Sequence, residues 1–244
     1  MLAGRSCSFQ LWQQETNDLF LLGHSVWGYF VSKTTGKALH VDIPIYLALL
    51  CGTLPDFDLY FGWLGLVHHT YTHSLLVLIP CLAVLVFFFR RKGIAFSAGV
   101  LSHILTDMMV GAVPILLPIS TVEVGLYLGM PSNADAALEV GMLAVVLLYM
   151  WQNGDARALL KKDPKNLCLL IPLIAIVSLS LLASQNDHLQ LATYAFSQID
   201  VTAISAGHVV LGLVMVIGVL QGIRAIWKVP FPCPFFSNRP KDQP

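Results

Sequence analysis

The stretch AISAGHVVLGLVMVIGVLQGIRAIW, Ala203 to Trp227, has no charged residue before Arg224 and exceeds the roughly 20 residues a helix needs to cross a hydrocarbon core. In lipid its backbone amides find partners only within a helix, so it reads as a transmembrane α-helix. Working outward, apolar runs recur at Leu19 to Val31, Ile43 to Leu54, Ser74 to Phe89, Ile94 to Val113, Ala136 to Trp151 and Leu167 to Ala183. The expected fold is an all-α integral membrane protein, a bundle of about seven hydrophobic helices of which the first two are short.

Composition agrees. The chain is 56% hydrophobic and 11% charged, with a mean hydropathy of +0.72, outside the range of ordinary soluble domains. Basic and acidic residues balance at 14 each, so there is no basic surface for nucleic acid. Cys7, Cys51, Cys81, Cys168 and Cys233 are scattered and never in CxxC spacing, which argues against a disulfide framework and a cysteine metal site. The run near Leu19 lacks a convincing cleavage site and reads as part of the mature protein.

Placing the N-terminus outside puts Lys33, Lys37, Arg90, Arg91, Lys92, Arg157, Lys161, Lys162, Lys165, Arg224, Lys228, Arg239 and Lys241 on the inner side, and Arg5 alone outside. That bias follows the positive-inside rule and predicts a multi-pass plasma membrane protein, bacterial inner membrane in kind, with its C-terminus in the cytoplasm. One membrane domain is expected: a core at 1–120, further helices of the same domain at 121–229, and a Pro-rich tail at 230–244.

Ionisable side chains in apolar segments are costly and mark function unless paired or near the interface. His24 lies near the outer start of the first helix, and Asp56 and Asp58 close the second in Leu-Pro-Asp-Phe-Asp. His68, His69 and His73 open the third in His-His-Thr-Tyr-Thr-His-Ser, and His103 and Asp107 lie toward the outer half of the fourth. The charge-derived topology brings all of them to one side. His103 and Asp107 share a helical face and can reach one ion together, while Asp56 and Asp58 can splay toward one or two ions. Imidazole with carboxylate suits Zn²⁺, Mn²⁺ or a related first-row ion better than Ca²⁺, and the set suffices for one or two ions. Taken singly, the alternatives are hydrogen bonding between helices for His24, capping for Asp56 and Asp58, and a metal-free pair for His103 and Asp107. His208 reads as a packing residue, His40 and His188 as loop residues, and Glu123, Asp135 and Glu139 as outer-side acids without a ligand role.

At these residues the chain resembles the YdjM/YbcI-type family of membrane-bound metal-dependent hydrolases. The family's early His corresponds to His24 in Gly-His-Ser-Val-Trp-Gly, its Leu-Pro-Asp-x-Asp to Leu54 through Asp58, and its His-x-x-x-Thr-His-Ser to His68 through Ser74. Its His-x-x-x-Asp helix corresponds to His103 through Asp107, followed by Gly111, Pro114 and Pro118. The resemblance covers roughly residues 20 to 120. It implies metal ligands His24, Asp56, Asp58, His68, His73, His103 and Asp107, with His68 and His73 favoured over His69. Where the family usually has Arg and Gly, this chain has His69 and Thr70, so His69 replaces the Arg as a donor, serves as an alternative ligand, or faces solvent. A more distant similarity to the zinc-dependent phospholipase C and single-strand nuclease superfamily points to phosphoester hydrolysis. The implied activity is metal-activated attack of water on a phosphoester, small or lipid-linked, at the outer interface, with Asp56 or Asp58 as general base. The alternative is a metal-binding transporter or sensor without hydrolytic activity.

Overall fold

The computed structural model describes residues 21–64, 66–126, 133–186 and 198–227. Arg5, Cys7, His188, Cys233 and the tail from Pro230 lie outside them, as do the expectations placed there. Within the described residues the helices are α1 (Leu21–Ala38), α2 (Ile45–Cys51), α3 (Leu75–Phe89), α4 (Arg91–Val110), α5 (Asn133–Asn153), α6 (Asp155–Leu160), α7 (Leu170–Asn186) and α8 (Gln198–Ile226). Short 3₁₀ segments, Pro55–Leu64 and Tyr71–His73, join α2 to α3, and another, Pro164–Leu169, leads into α7. There is no strand among the described residues, only an isolated bridge between Val113 and Val124.

The protein is an all-α membrane bundle. Arg91–Val110, Ala136–Asn153, Pro164–Leu182 and Thr202–Ile226 are each long and apolar enough to cross a membrane, and Leu75–Phe89 is an apolar helix below that length. The second helix is short as expected, because Pro55 supplies no amide hydrogen and the chain continues in 3₁₀ form.

The first helix extends further than expected. It runs for 18 residues to Ala38 rather than ending near Val31. Its later turns look like a polar loop in the sequence, but Ser32, Lys33 and Thr34 find partners within the protein. The Thr34 hydroxyl donates to the Phe30 carbonyl, and the Ser32 hydroxyl donates to that of Tyr29. Lys33 is buried and pairs with Asp155 at 2.9 Å and Asp42 at 3.2 Å. Asp155 also accepts hydrogen bonds from Tyr29 Oη and Asn153 Nδ2. The helix is central: α2, α4, α5, α7 and α8 all touch it, and Leu22, Val26 and Tyr29 are fully buried. A helix wrapped by protein needs no lipid-compatible surface, which is why its hydropathy understates it.

The same contacts set the polarity of the bundle. The end of α1, the start of α4 beside Gly36, and the α5–α6 junction at Asp155 gather at one end. His24 at the start of α1, Asp56 after α2, His73 before α3 and Asp107 late in α4 gather at the other.

Candidate metal centre

The cluster depends first on how closely three backbones approach. A Cβ on Gly28 of α1 would lie 2.5 Å from the Gly52 nitrogen just after α2. One on Gly52 would collide with the His24 carbonyl oxygen. On Gly99 of α4 it would meet Cys51 Sγ, and the Gly28 oxygen at 3.0 Å. Helices in lipid associate through such small-residue contacts, because burying apolar surface gains little there. Gly28 is one turn from His24 and Gly99 one turn from His103, so this close packing lies one turn from the polar groups.

Four donor atoms converge above it. His73 Nε2 lies 2.9 Å from His103 Nε2. His103 Nε2 is 3.2 Å from Asp56 Oδ1 and 3.1 Å from Asp107 Oδ2. His73 Nε2 is 3.4 and 3.6 Å from the same two oxygens. Ligands around a tetrahedral Zn²⁺ with bonds near 2.05 Å stand about 3.3 Å apart, so these five separations are close to that spacing. Two further imidazoles flank the set. His24 Nε2 is 3.3 Å from the other oxygen of Asp107, with its ring stacked on His103 at 3.9 Å. His68 Nε2 is 4.0 Å from Asp56 Oδ1.

The far nitrogens of these rings decide what the near ones offer. His103 Nδ1 donates to the Gly52 carbonyl at 2.7 Å, and His68 Nδ1 donates to Asp58 Oδ1 at 2.7 Å. His73 Nδ1 is 3.0 Å from Thr72 Oγ1, whose own hydrogen goes to Asp58. His24 Nδ1 is 3.2 Å from Thr106 Oγ1, whose hydrogen goes to the His103 carbonyl. A hydroxyl that has given its only hydrogen away can accept from imidazole but not donate to it. Each Nδ1 therefore carries the proton, and each neutral ring turns an Nε2 lone pair inward. The carboxylates agree: Asp56 Oδ2 and both Asp107 oxygens are buried without a hydrogen-bond partner among the described residues.

Burial pushes His73 below the ordinary imidazole range, and the neighbouring His69 acts in the same direction. A lowered His73 favours the neutral imidazole, the form that binds metal. An inward-facing set of lone pairs and carboxylates, two of whose acceptor groups find no proton, fits a divalent cation.

The groups of described residues that could hold a metal are Asp56, His73 and His103; His24, His103 and Asp107; and His68, His69 and His73. Six of the seven expected ligands fall within them. Asp58 stands behind His68, with its oxygens accepting from His68 and Thr72. His69 does not face solvent, since it is 5% exposed. His208 Nδ1 donates to the Ile204 carbonyl of its own helix. Neither it nor His40, Glu123 or the buried Glu139 belongs to a metal-capable group. Thr72, Thr106, Gly52 and Gly99 were not singled out from the sequence; Thr72 and Thr106 sit inside the quoted motifs, while nothing local marks Gly52 or Gly99.

Fold and site together define a helical membrane protein with a buried histidine–carboxylate cluster at one end of the bundle. A family profile described as YdjM inner membrane protein matches residues 20–189. The chain belongs to that family, and the match extends well past the motifs into α7. No curated protein and no solved structure matches it.

Proposed function

We propose that this protein is a membrane-bound metal-dependent hydrolase acting on a phosphoester carried by a lipid, with its site opening at the outer face of the inner membrane. The observation that carries the proposal is the inward convergence of four Nε2 lone pairs on two carboxylates. His73, His103, Asp56 and Asp107 would hold a divalent ion, with Zn²⁺ or Mn²⁺ suiting the donors. Such an ion supplies polarisation of a phosphoryl oxygen and acidification of a water at neutral pH.

The chain supplies the rest. Asp56 Oδ2 has no hydrogen-bond partner among the described residues and is the oxygen to which this reading gives the proton, whereas Asp58 is occupied in orienting His68. The cluster opens at His68, whose side chain is 18% exposed against 4% or less for Asp56, His73, His103 and Asp107. Around that opening Trp63, Leu66, Val67 and Tyr71 are exposed, an apolar and aromatic rim of the kind that sits at a membrane–water boundary. A phosphate can reach the donors there while its lipid chains stay against the rim. A carrier would need a site reachable from both faces, but the Lys33–Asp42–Asp155 ion-pair triad at the opposite end is not one of the metal-capable groups of described residues.

Purified protein should contain bound divalent metal and hydrolyse phosphoesters, and His73→Ala and Asp107→Ala should each lose metal and at least about a hundredfold in turnover, as expected when a Lewis acid is removed. Full metal occupancy with unchanged turnover in both variants overturns the assignment.

A further inference from the structure

We propose that His68 and His69 form a second, outer metal subsite beside the first, with His73 between them; this rests on the metal reading above. The sequence around it is exposed, with Val67 60% and Tyr71 51% accessible, yet His69 is 5% accessible. Neighbouring residues in an extended or helical chain direct their side chains apart. At His69 the backbone enters the left-handed region, φ 60°, a conformation uncommon for residues other than Gly. The result is that the His69 ring turns back under its neighbour. Its centroid lies 4.3 Å from that of His68 and 4.5 Å from that of His73. One ligand atom from each of the three rings falls within 4.8 Å of the others.

His73 has one lone pair, and its Nε2 faces His103, Asp56 and Asp107. When the inner ion takes it, the outer ion keeps two imidazoles and has positions open to water or a phosphate oxygen. The outer ion is therefore the weaker and the more accessible of the two, consistent with the exposure of His68.

Metal-stripped full-length protein in detergent is titrated with Zn²⁺ by calorimetry, and bound metal is counted after gel filtration. Wild type should bind two ions, the second at least tenfold more weakly. His69→Asn, which tolerates the left-handed backbone, and His69→Ala should bind one, with the tight site unchanged and the gel-filtration profile intact. His103→Ala should instead lose the tight site. Two ions in both His69 variants, at wild-type affinity, overturn the proposal, as does a single ion in wild type that both variants retain. No ion in wild type overturns the underlying metal reading as well.

Discussion

Asp58 carries a hydrogen bond on each oxygen, from His68 Nδ1 and from the Thr72 hydroxyl, and is 1% exposed at its side chain. Those two donors leave it the role of fixing a tautomer and a ring direction, which typically changes metal affinity by tenfold to a hundredfold rather than abolishing it. Asp58→Asn should therefore weaken Zn²⁺ binding by about that factor, since an amide cannot accept on both sides. Asp107→Ala should remove measurable binding at the inner site. Competition against a chromophoric chelator compares the two, and equal losses would put Asp58 among the ligands. At this scale the residue types and the His103–Asp107 pairing were legible, because four positions is one turn of a single helix. The choice between Asp56 and Asp58 was not, because it depends on Thr72 and His68 folding back across a turn onto Asp58.

Among the elements, α1, α2 and α4 meet through Gly28, Gly52 and Gly99, and the Gly52 carbonyl that lies in this contact also anchors His103. Gly52→Ala places a methyl against the His24 carbonyl, so the backbones must separate. Overpacking of this kind costs about 1–3 kcal/mol. A lowered unfolding midpoint in detergent, together with loss of metal, is expected. Gly212→Ala on α8, where a Cβ meets nothing within 4 Å, should leave both unchanged and serves as the control. The apolar helices α3, α4, α5, α7 and α8 were legible from hydropathy. The length of α1 was not, because hydropathy registers what lipid touches, and α1 is touched by other helices and by Asp155.

Across the whole molecule, the cluster and the basic connections occupy opposite ends of the bundle. The positive-inside bias then predicts that the cluster faces outward. Reporter fusions after Arg91 and at the C-terminus should be active only when cytoplasmic, and one after Gly125 only when exported. The reverse pattern would turn the site to the cytoplasm and exclude an outer-face substrate. The later helices, for which the sequence offered only anchoring, brace the core. α5 packs along α1, and α7 reaches the 3₁₀ segment that carries Asp56, where Tyr60 hydrogen-bonds Ser178.

By itself the sequence determined the membrane class, the orientation bias and a one-sided set of His and Asp, since each follows from local composition or spacing along one helix. Only the tertiary structure decided which nitrogen of each imidazole faces inward, that α1 is the central helix, that Asp58 supports while Asp56 converges, and that His69 is buried. Those outcomes depend on contacts between distant segments, Gly52 with His103 and Thr106 with His24. The close backbone approach that makes such contacts has no signature in periodicity or charge.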